Sequence, residues 1–264
     1  MSGVSWVRKV RHIQDVAPWL QPLPRFGHER AVLRRIDKRN DAKFLAMLRQ
    51  EPTYVEKAHR LYFQSFCHDS HTLDMRKRGR KLVISLNSDK TIQFAWHIDQ
   101  MFGTSFQDGP WPIHLVAHDV ADFRIVNLDR QGRLRSVPLP ASLPFREQAE
   151  IRPWHPEYVH DFGWKVGQRI AWVVELWHLG WLLVDCGRLT ARDDARLRIA
   201  QVYGPTIGGI YDELLGRRRC PVSLSDAGHH WCCIDNFLEQ RFAALDVSLE
   251  QIAEEIWERK RVRG

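Results

Sequence analysis

Asp122-Phe123-Arg124-Ile125-Val126-Asn127-Leu128, then Asp129-Arg130-Gln131-Gly132, then Arg133-Leu134-Arg135-Ser136-Val137-Pro138-Leu139: two short runs are split by a Gly-containing turn. That spacing predicts a β-hairpin. Pro138, Pro140 and Pro144 end it, because proline cannot donate to a ladder. Upstream, Leu82-Val83-Ile84-Ser85-Leu86 and Ile113 to Ala117 read as strands, with a helix over Asp89 to Met101 between them. Ile92, Trp96 and Met101 would face inward on that helix. Downstream, Ile170, Val173, Val174 and Trp177 recur at helical spacing. They predict a helix over Val166 to His178, closed by Leu179-Gly180. Trp181 to Asp185 reads as a buried strand, and Thr190 as the cap of a helix running to Tyr203. The expected fold class is α/β, a mixed sheet flanked by helices.

Residues 1 to 27 are broken by Pro18, Pro22 and Pro24 and read as irregular. Helices are expected over His28 to Gln50 and Tyr54 to Phe66, followed by a basic loop from Arg76 to Lys81. At the other end, Ser248-Leu249-Glu250-Gln251 fits a capping box. Leu249, Ile252, Ala253 and Ile256 then form an apolar stripe. Three regions result: a basic helical N-terminal region (1–80), an α/β core (81–205) and a C-terminal helical appendix (206–264).

The chain has 264 residues and a formal net charge of +7. The charge is gathered in clusters: Arg8, Lys9 and Arg11; Arg30, Arg34, Arg35, Lys38 and Arg39; and Arg76, Lys77, Arg78, Arg80 and Lys81. A polyanion on such a face releases counterions, so DNA is the expected partner. A solvated basic surface is the plain alternative. The longest apolar candidate, Ile170 to Cys186, is interrupted by Glu175, His178 and Asp185, so no membrane partner is expected. The first residues lack the apolar run of a signal peptide. Five widely spread cysteines argue for a reducing compartment, hence a cytoplasmic location.

The segment from Ser85 to Pro205 resembles the PD-(D/E)xK nucleases, and among them the TnsA-like endonuclease subunits of heteromeric transposases. The likeness rests on Val120-Ala121-Asp122-Phe123-Arg124-Ile125-Val126, Gly132, Leu134-Arg135-Ser136-Val137, Gly180-Trp181 and Tyr203-Gly204-Pro205. It implies a restriction-endonuclease-like core in which two carboxylates hold Mg²⁺ over the scissile phosphate and a lysine orients the attacking water. Asp122 would be the central ligand. Where the family places an acidic residue and a lysine, this chain has Ser136-Val137-Pro138-Leu139-Pro140. Only Asp89 could stand for the upstream carboxylate, and only Lys165, moved to the next element, for the lysine. Without catalysis, Asp122 is a strand-end aspartate in a turn or salt bridge.

Cys220, His229, His230, Cys232 and Cys233 are ligand types that suit Zn²⁺, and Cys67, His68 and His71 could join them. Their spacing fits no standard finger, and buried cysteines acting as small apolar residues are the alternative. The helix after Ser248 resembles the first helix of a helix-turn-helix module. The chain beyond it is too short for a recognition helix, which leaves an amphipathic packing helix. The expectation for function is a DNA-binding protein on a nuclease-like, catalytically degraded core, acting with a protein partner in a nucleic-acid-processing assembly of a mobile element or defence system. Two alternatives stand beside it: an active metal-dependent endonuclease using Asp122, Asp89 and Lys165, and a protein-binding adaptor with a Trp-rich surface.

Overall fold

The structure is a computed structural model and describes residues 5–11, 54–67, 70–105, 110–128, 134–138, 159–176, 180–218 and 234–263. Nine strands are described: β1 (His71–Arg78), β2 (Lys81–Asn87), β3 (Pro112–His118), β4 (Asp122–Leu128), β5 (Leu134–Val137), β6 (Val159–Val166), β7 (Arg169–Leu176), β8 (Gly180–Cys186) and β9 (Arg188–Asp193). They form two sheets, ordered β1-β2-β3-β9 and β5-β4-β8-β7-β6. Every pairing among them is antiparallel, where a single mixed sheet was expected. Helices flank the sheets: α1 (Trp6–Lys9), α2 (Asp89–Phe102), α3 (Asp194–Tyr203), α4 (Pro205–Leu214), α5 (Ile234–Ala243) and α6 (Leu249–Arg263).

The expected hairpin of β4 and β5 is present, with Ile125 opposite Val137 and Leu128 opposite Leu134. The expected helix over Val166 to His178 is instead strand β7, paired with β6 on one side and β8 on the other. The reason is burial on both faces. Ile170, Ala171, Trp172, Val173, Val174 and Leu176 are all buried, and a continuous apolar run satisfies helical and strand spacing alike. Branched and aromatic side chains, and a two-residue turn with Gly167 at φ +63, settle it as a strand.

Thr190 does not cap a helix. Leu189 and Ala191 are buried while Arg188 and Arg192 are exposed, the period-two signature of β9. Asp193 caps α3 instead, accepting from the Arg196 N–H at 2.9 Å. Over Tyr54 to Phe66 the chain forms a 3₁₀ turn at Lys57–His59 and a π turn at Tyr62–Phe66 rather than one α-helix. On α2 the buried face is Phe94, Ala95, Ile98 and Phe102, and Trp96 and Met101 are exposed.

One hydrophobic core runs from Val55 to Ile256 and crosses both boundaries expected near residues 80 and 205. It joins the inner faces of both sheets to α2 through α6. The capping box of α6 is made: Gln251 N–H donates to Ser248 Oγ at 3.2 Å, and Ser248 N–H to Gln251 Oε1 at 3.1 Å. Ile252 and Ile256 of α6 are buried, as a packing helix requires. On the far side of the second sheet, Val7 and Val10 cover Val126, Val173 and Leu183. No helix among the described residues is long and apolar enough to cross a membrane.

Candidate nucleic-acid interface

Two strand runs pass from one sheet to the other at the same level. One goes from β3 to β4 through Asp119, Val120 and Ala121; the other from β8 to β9 through Gly187. The ladder continues across this corner, Ala121 N–H donating to Asp185 O and Gly187 N–H to His118 O, both at 2.9 Å. Asp119 takes φ +54, a left-handed conformation that aspartate tolerates better than most residues. The tip of the β1–β2 hairpin is tied to the same corner, since Val120 N–H donates to Arg80 O at 2.9 Å.

That hairpin end carries the third basic cluster. The expected loop from Arg76 to Lys81 is two strand ends and a two-residue turn, with Arg78 opposite Lys81 and Gly79 at φ +56. Arg76, Lys77, Arg78, Arg80 and Lys81 are all exposed. Arg76 pairs with Asp74 and Arg80 with Asp119. The Lys77 ammonium lies 5.8 Å from the Phe123 ring centroid. Arg78 and Lys81 have no ion pair among the described residues. Leu82 is opposite Ala117, so Lys81 comes level with His118, which is opposite Arg188. A row of Arg78, Lys81, His118 and Arg188 therefore crosses the outer face of all four strands. Partial burial, with the charges of Arg188 and Lys81, lowers the His118 pKa and favours its neutral ring.

The proposed nuclease residues do not converge. Asp122 opens β4 opposite Asp185. Its carboxylate accepts from Arg8 Nε at 2.8 Å and from the Phe123 N–H at 3.0 Å. Asp185 is buried and accepts from Ser5 Oγ at 2.8 Å and from Arg169. Both carboxylates thus already hold protein donors, and the site does not fit Mg²⁺, which wants near-octahedral oxygen ligands. Asp122, Asp185, Ala171 and Trp164 share one cross-strand row. Lys165, Ile170 and Cys186 form the next row, and adjacent rows face opposite sides of a sheet. Lys165 is therefore on the other face from Asp122. Asp89 begins α2 at the Asn87–Pro112 end of the first sheet. The seven residues of β3, about 20 Å of strand, separate it from the corner.

Among the described residues no group of three His, Cys, Asp or Glu side chains could hold a metal ion. Cys67 is buried, its thiol donating to Phe63 O at 3.2 Å and Asp161 Oδ1 at 3.1 Å. Burial pushes its pKa well up, so it persists as a thiol. His71 sits on β1. Cys220, His229, His230, Cys232, Cys233 and His68 lie outside the described residues, as do Arg30, Arg34, Arg35, Lys38 and Arg39.

Sequence reading missed Arg188 and Arg169. The alternation of Arg188-Leu189-Thr190-Ala191-Arg192 carries the signal for the first, because period two puts both arginines on one sheet face. Arg169 could only be found with β7 read as a strand. It donates from Nη2 to Asp119 O at 2.8 Å and Asp185 O at 3.1 Å, and pairs through Nη1 with Asp119 Oδ2 at 3.2 Å. It is the clasp of the corner. No family model, curated protein or solved structure matches this chain.

Proposed function

We propose that this protein binds DNA through the basic end of its β1–β2 hairpin and the adjoining outer face of β3 and β9. The observation that carries the reading is the convergence of Arg76, Lys77, Arg78, Arg80, Lys81 and Arg188 at one corner of the molecule. In this reading the core is nuclease-like in ancestry but inert. The separation of Asp122, Asp89 and Lys165, and the arginine held by Asp122, favour binding without cleavage. The resemblance of residues 85–205 to a transposase-type endonuclease supplies the setting, a nucleic-acid-processing assembly with a protein partner in a mobile element or defence system. The departure of β7 from the helix which that resemblance implies leaves the basic corner as the stronger ground.

The test is a salt titration of binding to a fluorescent duplex. Each lysine or arginine on a phosphate contributes a slope of about −0.9 in log K against log salt. Arg78→Ala with Lys81→Ala should reduce affinity uniformly across sequences and lower the slope by roughly 2. An unchanged slope in the double variant removes the hairpin from the interface. No binding at any salt removes DNA as the partner.

A further inference from the structure

A cleft of about 350 Å³ opens beside the same corner, lined by Tyr54 to Glu56, Lys165, the Gly167–Gln168 turn, Arg169, Ile170, Gly187 and Arg188. It has the size of a small-ligand site, and three of its walls belong to different segments. Lys165, next to last in β6, is exposed, with no ion pair among the described residues. Among the described residues Arg188 is held only by Glu56, 3.9 Å away, with both side chains more than half exposed. Such a pair contributes little in water and is easily exchanged for a stronger anion. Arg169, by contrast, is fixed by Asp119 and Asp185. It acts as a rigid wall between this cleft and Arg80, which holds the other oxygen of Asp119. The β6–β7 turn adds the amides of Gly167 and Gln168, which lie outside the ladder that Val166 and Arg169 close.

We propose that this cleft seats a phosphate group, with Lys165 and Arg188 as its charged donors. The proposal rests on the DNA reading for its source: the cleft takes one phosphate of the strand that lies along the hairpin. Lysine and arginine are the side chains that bind phosphate oxygens best. Through Asp119, the Arg169 wall of the cleft is joined to Arg80 of the hairpin. The phosphate could be a strand end, which carries about −1.5 to −2 charges near neutral pH, or an internal diester with one. Both are the same chemistry, and they separate by experiment.

Wild type and Lys165→Ala with Arg188→Ala are titrated against duplexes identical except for a 5′-phosphate or 5′-hydroxyl. Both replaced side chains are exposed, so the variant should fold. Lys260→Ala with Arg261→Ala, at the far end of α6, matches the lost charge. Preferential loss for the phosphorylated duplex, roughly tenfold, identifies a strand end. Equal loss for both, with a slope lowered by roughly 2, identifies an internal phosphate. Either result, exceeding that of the matched control and of Arg188→Ala alone, supports the cleft. Loss no greater than the control, or than Arg188→Ala alone, overturns it, while DNA binding by the hairpin stands. If wild type binds neither duplex, the DNA reading fails. The cleft is then judged by pyrophosphate at constant ionic strength: a saturable rise of a few degrees in wild-type melting temperature, absent in the cleft variant, supports it, and no rise overturns it.

Discussion

Gly180→Ala should be among the most damaging single-methyl changes in this chain. Gly180 opens β8 at φ +121, a region close to glycine-only. A Cβ built there would land on the Val126 carbonyl oxygen, far inside van der Waals contact, with Val126 C at 3.1 Å and Asn127 Cα at 3.2 Å. The obstacle is backbone, so no rotamer relieves it. Strands pack about 4.8 Å apart, and clearing the oxygen means opening the β4–β8 ladder where Val126 pairs with Trp181. The strained φ costs about 1–3 kcal/mol, and one or two lost ladder hydrogen bonds about 1 kcal/mol each. The sum, roughly 2–5 kcal/mol, corresponds to a melting temperature about 4–20 °C lower for a domain of this size. Gly79→Ala is the control: φ is +56, but a Cβ there meets nothing within 4 Å. It should cost only about 1 kcal/mol, the penalty of the left-handed conformation. Both are read by thermal or urea melts followed by circular dichroism. If Gly180→Ala costs no more than Gly79→Ala, β8 does not start against Val126.

Other outcomes follow from the same geometry. Burial raises the Asp193 pKa to about 6 despite its bonds from Arg196 N–H and Tyr62 Oη. A raised pKa gives stability that is full below the unfolded value near 3.9 and lost as pH rises through about 6, on the order of 3 kcal/mol for about two units. Asp193→Asn keeps an acceptor for Arg196 and should flatten that decline in urea melts between pH 4 and 7. An unaltered profile would show that Asp193 is not its source. With Mg²⁺ or Mn²⁺ the purified protein should leave supercoiled, linear and single-stranded DNA intact. Nicking that disappears in Asp122→Ala would mean that the Arg8 pair opens to admit metal.

The parts of this fold that were legible in the sequence are those with a single period. The β4–β5 hairpin could be read because Gly132 and the prolines mark its ends, and α6 because Ser248 and Gln251 cap it. The Asp89 helix was placed correctly, but its inward face was turned by about one residue. Trp96 is exposed because Phe94, Ala95 and Ile98 form the tighter stripe. One failure lies where a strand is buried on both faces, another where a short strand runs straight into a helix. Ile170 to Val174 carries no polar residue to show its period, and Thr190 stood next to a true helix whose cap is Asp193. The basic cluster from Arg76 to Lys81 was visible as charge. Its geometry was missed although Gly79 offers a local hairpin signal, because the run of charges from Arg76 to Lys81 shows no alternation.

The misreading of β7 also bears on function. A helix after Lys165 could present its lysine in many directions, so an evasive catalytic lysine remained conceivable. A strand offers two faces only. Once Val159–Val166 pairs in register with Arg169–Leu176, and that strand with β8, the row holding Lys165 is set against the row holding Asp122 and Asp185. No side-chain rotation exchanges them, and a register slip of one residue would expose the core that Trp172, Val174 and Val184 build. At the turn end of the same two strands, Lys165 lines the cleft with Arg188, beside the hairpin that carries Arg78 and Lys81. Strand parity thus takes the lysine that a nuclease reading would place over a scissile bond away from Asp122, and leaves it lining the cleft proposed to hold a phosphate.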